Sequence, residues 1–130
     1  MPVDNSIKIL IIDDMQTMRK IIKNILKQIG FNDFVEAENG AQALKVLEGK
    51  TTIDLIISDW NMPELNGLEL LKKVKADDAL KSIPFLMVTA EGLKENVLEA
   101  IKAGVNNYIV KPFTPAALQE KIDAIFASNG

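Results

Sequence analysis

Histidine and cysteine are both missing from this sequence of 130 residues. Their absence excludes disulfide frameworks, thiolate or imidazole zinc sites, and every nucleophile that depends on a histidine base. Long apolar runs are missing too. The longest, such as residues 9–12 and 85–88, fall far short of the roughly 20 residues that a bilayer span needs. A basic excess is also lacking: 15 Lys and Arg against 18 Asp and Glu leave a formal charge of -3, which argues against binding a phosphate backbone. The opening Met1-Pro2-Val3-Asp4-Asn5-Ser6 has neither a basic n-region nor an apolar h-region, so a cytoplasmic location is expected. What is present, 48% hydrophobic and 25% charged residues, predicts one domain over residues 1–130 with one sizeable core.

Short β-rich runs alternate with stretches of helical spacing, and the alternation repeats five times. Residues 7–12 form the first run. Met18, Ile21, Ile22, Ile25, Leu26 and Ile29 then step by three and four along one helical face, and Gly30 supplies a stop. A second strand at residues 34–37 is followed by a helix through Ala41, Leu44 and Leu47 that Gly49 closes. The third strand is read at 53–58, with a helix over about 68–74. Pro84 precedes a fourth strand at 85–88, whose helix carries Val97, Leu98 and Ile101 and ends at Gly104. The last strand, 108–110, leads to Pro115 at a helix start and to Leu118, Ile122, Ile125 and Phe126 on one face.

Strand order follows in part from burial. A parallel strand covered on both faces reads as a near-continuous apolar run, whereas an edge strand tolerates polar positions. Strands one, three and four are the apolar ones; Asp33 to Glu38 alternate and Asn107-Tyr108 opens the fifth. Strands two and five therefore belong at the edges, and right-handed crossovers give an α/β, flavodoxin-like fold of order 2-1-3-4-5 with five helices over both faces. Ligands of such sheets bind beyond the carboxyl ends of the strands where the winding reverses, here between strands one and three.

Asp13 and Asp14 end the first strand and Asp59 ends the third, so three carboxylates converge on that crevice. Two unit charges about 4 Å apart repel by about 4 kcal/mol at an effective dielectric near 20, so the cluster must hold protons or a cation. Oxygen ligands suit a hard ion, magnesium above all. Each acid has a plainer reading when taken alone. Asp-Asp before a helix is common N-cap chemistry, and Asp59 could be a turn residue. The coincidence of all three at the ends of apolar strands favours a joint site. Lys111 and Thr89 end the fifth and fourth strands near the same crevice; the lysine can neutralise a phosphoryl group and the hydroxyl can bond an anionic oxygen.

In order along the chain, Ile11-Ile12-Asp13-Asp14, Thr17-Met18-Arg19, Asp59-Trp60-Asn61-Met62-Pro63 with Gly67, Thr89-Ala90-Glu91, Ala103-Gly104 and Tyr108 through Lys111-Pro112-Phe113 resemble the receiver domains of two-component signalling, and in particular the single-domain chemotaxis regulators of the CheY type. The order 2-1-3-4-5 is that of the same family, so topology and motifs agree without being separate support. The resemblance implies a response regulator whose Asp59 attacks a phosphoryl group to form an acyl phosphate. It implies Mg2+ held by Asp13, Asp14, Asp59 and the backbone carbonyl of Asn61, with Asp13 acting directly or through water. It further implies roles for Lys111 and Thr89 in catalysis and for Ala90 in holding phosphate. Thr89 and Tyr108 become the switch, and Asn61 and Glu91 the residues that govern how quickly water removes the phosphoryl group.

The partners implied are a chemotaxis histidine kinase, a flagellar motor switch protein and a phosphatase. Neither nucleic acid nor membrane is among them, and a monomer is expected. Because the chain has no histidine, the phosphohistidine donor must be a different molecule. Lys94, Val105, Tyr108 and Lys121 are read as the output face. Lys20, Lys23 and Lys27 are read as a solvated face of the first helix. Trp60 is expected to be partly exposed, and Met15 leaves access to the crevice open. Two other classes compete. A haloacid-dehalogenase-like phosphohydrolase also uses an aspartyl phosphate, magnesium and lysine, but places nucleophile and acid two residues apart after its first strand. A nucleotide-binding Rossmann module would show Gly-x-Gly-x-x-Gly or a phosphate loop, and neither occurs.

Overall fold

The computed structural model describes residues 5–62, 65–90 and 94–129. Five strands alternate with five helices: β1 (Lys8–Ile12), α1 (Gln16–Gln28), β2 (Asp33–Ala37), α2 (Gly40–Glu48), β3 (Leu55–Asp59), α3 (Gly67–Ala76), β4 (Phe85–Thr89), α4 (Lys94–Lys102), β5 (Asn107–Val110) and α5 (Pro115–Asn129). All strand pairs are parallel, in the order β2-β1-β3-β4-β5. The polar edge strands are thus where their composition puts them.

Side chains of the central strands alternate between two cores, since successive residues of a strand point to opposite faces. Leu10, Ile12, Ile56, Phe85 and Met87 pack with Ala43 and Leu47 of α2 and Leu70, Leu71 and Val74 of α3. Ile9, Ile11, Leu55, Ile57, Leu86, Val88 and Ile109 pack with Ile22 and Leu26 of α1 and Leu118, Ile122 and Ile125 of α5. Gly30 closes α1 at φ +107 and Gly104 follows α4 at φ +95, both in the left-handed region that glycine adopts without steric cost. Gly49 ends α2 with extended backbone instead. Among the described residues, no helix is long and apolar enough to cross a membrane.

Three expectations are corrected. Strand β3 begins at Leu55 and includes Asp59, because Asp54 is used in a side-chain bond from the Lys8 amide at 2.9 Å, while Asp59 pairs with Val88. Ile21 is 45% exposed although its spacing placed it on the buried stripe of α1. That stripe centres on Ile22 and Leu26, and Ile21 lies about 100° around the helix from Ile22. On α4, Leu98 and Ile101 are 45% and 56% exposed, and Ala100 is buried. The helix turns its small residue inward, so the larger ones face out.

Candidate functional site

Four strands end nearly level at the carboxyl edge of the sheet, and this registry assembles the site. Ile12 lies opposite Ser58 and Asp59 opposite Val88, which makes neighbours of the residue after β1 and the last residue of β3. Thr89 lies opposite Val110, and the Lys111 amide donates to the Thr89 carbonyl at 2.8 Å. Lys111 and Thr89 therefore arrive together. Behind β3, Gly67 brings the start of α3 against the site: a Cβ there would lie 2.4 Å from the Asp59 carbonyl oxygen, and the Gly67 amide donates to the Trp60 carbonyl at 2.9 Å.

One carboxylate oxygen each from Asp13, Asp14 and Asp59 lies within 4.8 Å of the others. Asp13 and Asp59 are buried and Asp14 is exposed. The Lys111 ammonium lies 3.1 Å from Asp59 Oδ1 and 3.7 Å from Asp13 Oδ2. Neither acid of the pair at β1 caps α1: the cap position is Met15, without a side-chain cap, and Asp13 Oδ1 accepts from the Met15 amide at 2.9 Å. The plainer capping reading is thereby displaced.

Burial pushes the Asp13 carboxyl above the ordinary aspartate range. The charges of Asp59 and Asp14 push the same way, against the Met15 amide and Lys111. Asp59 is also raised by burial, with Lys111 opposing. One lysine does not neutralise three acids. Asp13 Oδ2 is moreover a buried oxygen with no hydrogen-bond partner, an expensive state for a polar atom. An all-oxygen donor set with surplus negative charge and a buried oxygen that accepts no hydrogen bond fits a hard divalent cation such as magnesium.

Thr89 is buried at the end of β4 and Ala90 is exposed beside it. Asn61 is exposed and Trp60 half-buried, its amide donating to the Val88 carbonyl at 2.9 Å. Glu91 lies outside the described residues, as do Pro63 and the side chain of Lys94. Of the proposed output face, Tyr108 is half-buried and the Lys121 ammonium stands 5.0 Å from its ring centroid, a cation–π geometry. Val105 packs partly into the core. The exposed apolar side chains of α4 and β5 are Leu98, Ile101 and Val110, which sequence reasoning did not assign to that face. Among the α1 lysines, Lys20 and Lys27 are solvated, but Lys23 pairs with Glu36 at 3.0 Å. Arg19 is buried: it stands three residues before Ile22 and seven before Leu26, on the buried stripe itself, a place that sequence reasoning did not give to a charged side chain.

Comparison with known proteins agrees with this architecture. The response regulator receiver domain family matches residues 9–123. The chemotaxis protein CheY1 of Helicobacter pylori strain J99 is 52% identical over 122 residues, covering 94% of this chain and 98% of that protein. CheY-3 of Vibrio cholerae is 52% identical over 123 residues, covering 95% and 94%. Among solved structures, CheY4 of Vibrio cholerae superposes with a TM-score of 0.83 at 32% identity, over 92% of this chain and 98% of that one. The receiver domain of the sensor histidine kinase PA1611 from Pseudomonas aeruginosa, solved with a magnesium ion coordinated in its active site cleft, gives 0.81 at 26% identity over 93% and 98%. With the family pattern spanning residues 9–123 and CheY proteins 52% identical almost end to end, this chain belongs to the response regulator receiver domain family, in its CheY chemotaxis branch.

Proposed function

We propose that this protein is a cytoplasmic phospho-acceptor switch in chemotaxis. A separate histidine kinase phosphorylates it on Asp59 in a magnesium-dependent reaction, and the phosphorylated form binds a flagellar motor switch protein. The observation that carries this reading is the meeting of three carboxylates within 4.8 Å beside a lysine 3.1 Å from one of them. Phosphoryl transfer asks a protein mainly for in-line placement and charge neutralisation, and the lysine beside the acid cluster supports the second.

Asp13, Asp14, Asp59 and the main-chain carbonyl of Asn61 would hold the magnesium ion. When bound, the ion neutralises negative charge on the transferring phosphoryl oxygens. A carboxylate oxygen of Asp59 attacks phosphorus opposite the donor's imidazole nitrogen. The P–N bond breaks as the P–O bond forms, and the electron pair returns to the leaving nitrogen. Lys111 donates to the oxygens delivered to Asp59, and Thr89 and the Ala90 main chain receive others. Asn61 and Glu91 flank the product and govern its hydrolysis, which a phosphatase accelerates. Thr89 moving toward the phosphoryl group releases space for Tyr108, and the surface of α4, β5 and α5 changes with it. Such a protein is a signalling switch with at most self-catalysed gain and loss of phosphate, and its receiver domain works as a monomer.

Incubation of the full chain with a small acyl phosphate and Mg2+, followed by mass spectrometry of peptides, tests the acceptor. One phosphoryl group on Asp59, lost in Asp59→Asn and in excess chelator, is expected. Undiminished modification of Asp59→Asn would move the acceptor elsewhere. Sustained hydrolysis of generic phosphate esters would return the haloacid-dehalogenase-like reading.

A further inference from the structure

Arg19 is only 7% exposed, an uncommon place for a guanidinium unless it is paired. Its Nη1 donates to the main-chain carbonyl of Asp13 at 2.7 Å, and its Nε donates to Glu36 Oε1 on β2 at 3.1 Å. Lys23 holds the other oxygen of Glu36 at 3.0 Å. Lys23 foremost, and Arg19 with it, keep the Glu36 carboxyl below the usual range. Arg19 thus reaches the acid turn from an anchor across the sheet edge.

The other polar groups of Asp13 are also committed. Its amide donates to the Ala37 carbonyl at 3.2 Å, and its Oδ1 accepts from the Met15 amide at 2.9 Å. Oδ2 is left, buried and without a hydrogen-bond partner. The carbonyl that Arg19 holds is half of the peptide unit joining Asp13 to Asp14. Because that unit is planar, holding the C=O holds the peptide plane and the two Cα atoms from which both acids leave the chain.

We propose that Arg19, anchored by Glu36, is a positioning residue for the divalent-cation site: it orients the Asp13–Asp14 peptide so that both carboxylates meet the ion. This rests on reading the crevice as a cation site. Outer groups that orient metal ligands typically change metal affinity by roughly 10–100-fold. The sign is diagnostic. Acting only through its field, a cation near the site would repel a divalent ion, so its removal would tighten binding. Positioning requires the reverse.

Calorimetric titration of the full chain with MgCl2 tests this in wild type, Arg19→Met, Arg19→Lys and Leu26→Val, the last a control in the α1 core. Arg19→Met should weaken magnesium binding roughly tenfold. Arg19→Lys should weaken it less, because an ammonium keeps the charge and one bond but lacks the fork that also reaches Glu36. Leu26→Val should lower thermal stability and leave magnesium affinity alone. Binding by Arg19→Met as tight as wild type, or tighter, overturns the proposal. Should that variant fail to fold, Arg19→Lys decides: unchanged affinity overturns the proposal, and a severalfold loss at constant charge supports it. An Asp13→Asn chain that binds magnesium like wild type overturns the cation-site reading itself, whatever Arg19 does.

Discussion

Two of the crevice acids, Asp13 at 1% and Asp59 at 6% exposure, have lost most of their hydration, and the nearby lysine does not make good the loss. A carboxyl whose pKa is raised by folding holds its proton more tightly in the folded chain than in the unfolded one. Stability therefore falls as pH rises from the unfolded value toward the folded value, and stays low above it. Asp13→Asn removes that cost while keeping an acceptor for the Met15 amide. In magnesium-free buffer near pH 7 it should raise the melting temperature by roughly 3–6 °C, equivalent to ~1 kcal/mol in a domain of this size. The gain should vanish below about pH 4, where the wild-type carboxyls are protonated as well. A thermal scan showing Asp13→Asn less stable at pH 7 would sink the electrostatic account. At this scale the acids were legible because each ends an apolar strand, and Lys111 because it follows the fifth strand at the same edge of the sheet. Arg19 was not: it stands three and seven residues before Ile22 and Leu26 on the buried stripe, but a charged side chain is not counted when an apolar stripe is read.

Elements meet the site through their ends. Helix α3 begins with a capping box, Asn66 Oδ1 accepting from the Glu69 amide and Glu69 Oε1 from the Asn66 amide, which fixes where its first residue lies. That residue is Gly67, and an added Cβ would meet the Asp59 carbonyl at 2.4 Å and Met87 Sδ at 2.8 Å. Backbone at the end of a central strand cannot give way cheaply. Gly67→Ala should therefore cost about 1–3 kcal/mol in urea denaturation and slow phosphorylation of Asp59 as well. Gly40→Ala is the comparison: its added Cβ would meet Leu65 Cδ2, Cγ and Cβ at 2.6, 2.9 and 3.0 Å, which also costs stability but does not touch the Asp59 backbone, and it should leave phosphorylation near wild type. Equal phosphorylation rates in Gly67→Ala and wild type would show that α3 does not hold the acceptor in place. Helical spacing placed all five helices, yet it misjudged Ile21, Leu98 and Ile101. Periodicity gives the existence of an apolar stripe, whereas its width is set by the neighbouring elements.

Across the whole molecule, two apolar layers hold the sheet while its functional edge carries unbalanced negative charge. An ion that binds only the folded arrangement stabilises the entire chain through mass action. Magnesium at ten times its dissociation constant should add about 1.4 kcal/mol to the unfolding free energy, read as a rise in the melting temperature of wild type. Asp59→Asn should show a much smaller rise, and an equal response in the two chains would place the ion elsewhere.

Composition, period and the polarity of single strands were sufficient for the βα alternation, the edge positions of β2 and β5, and hence the strand order, because burial on two faces demands continuous apolar runs and edges do not. The same pattern told which strand ends carry acids. Tertiary structure alone decided how those ends line up, through a registry that sets Asp59 opposite Val88 and Thr89 opposite Val110. It also decided which oxygen of Asp13 is left without a hydrogen bond and which cation holds its peptide. Periodicity is a property of one segment, whereas the direction of a side chain at a shared edge is settled only when separate segments press against one another and satisfy each other's polar groups.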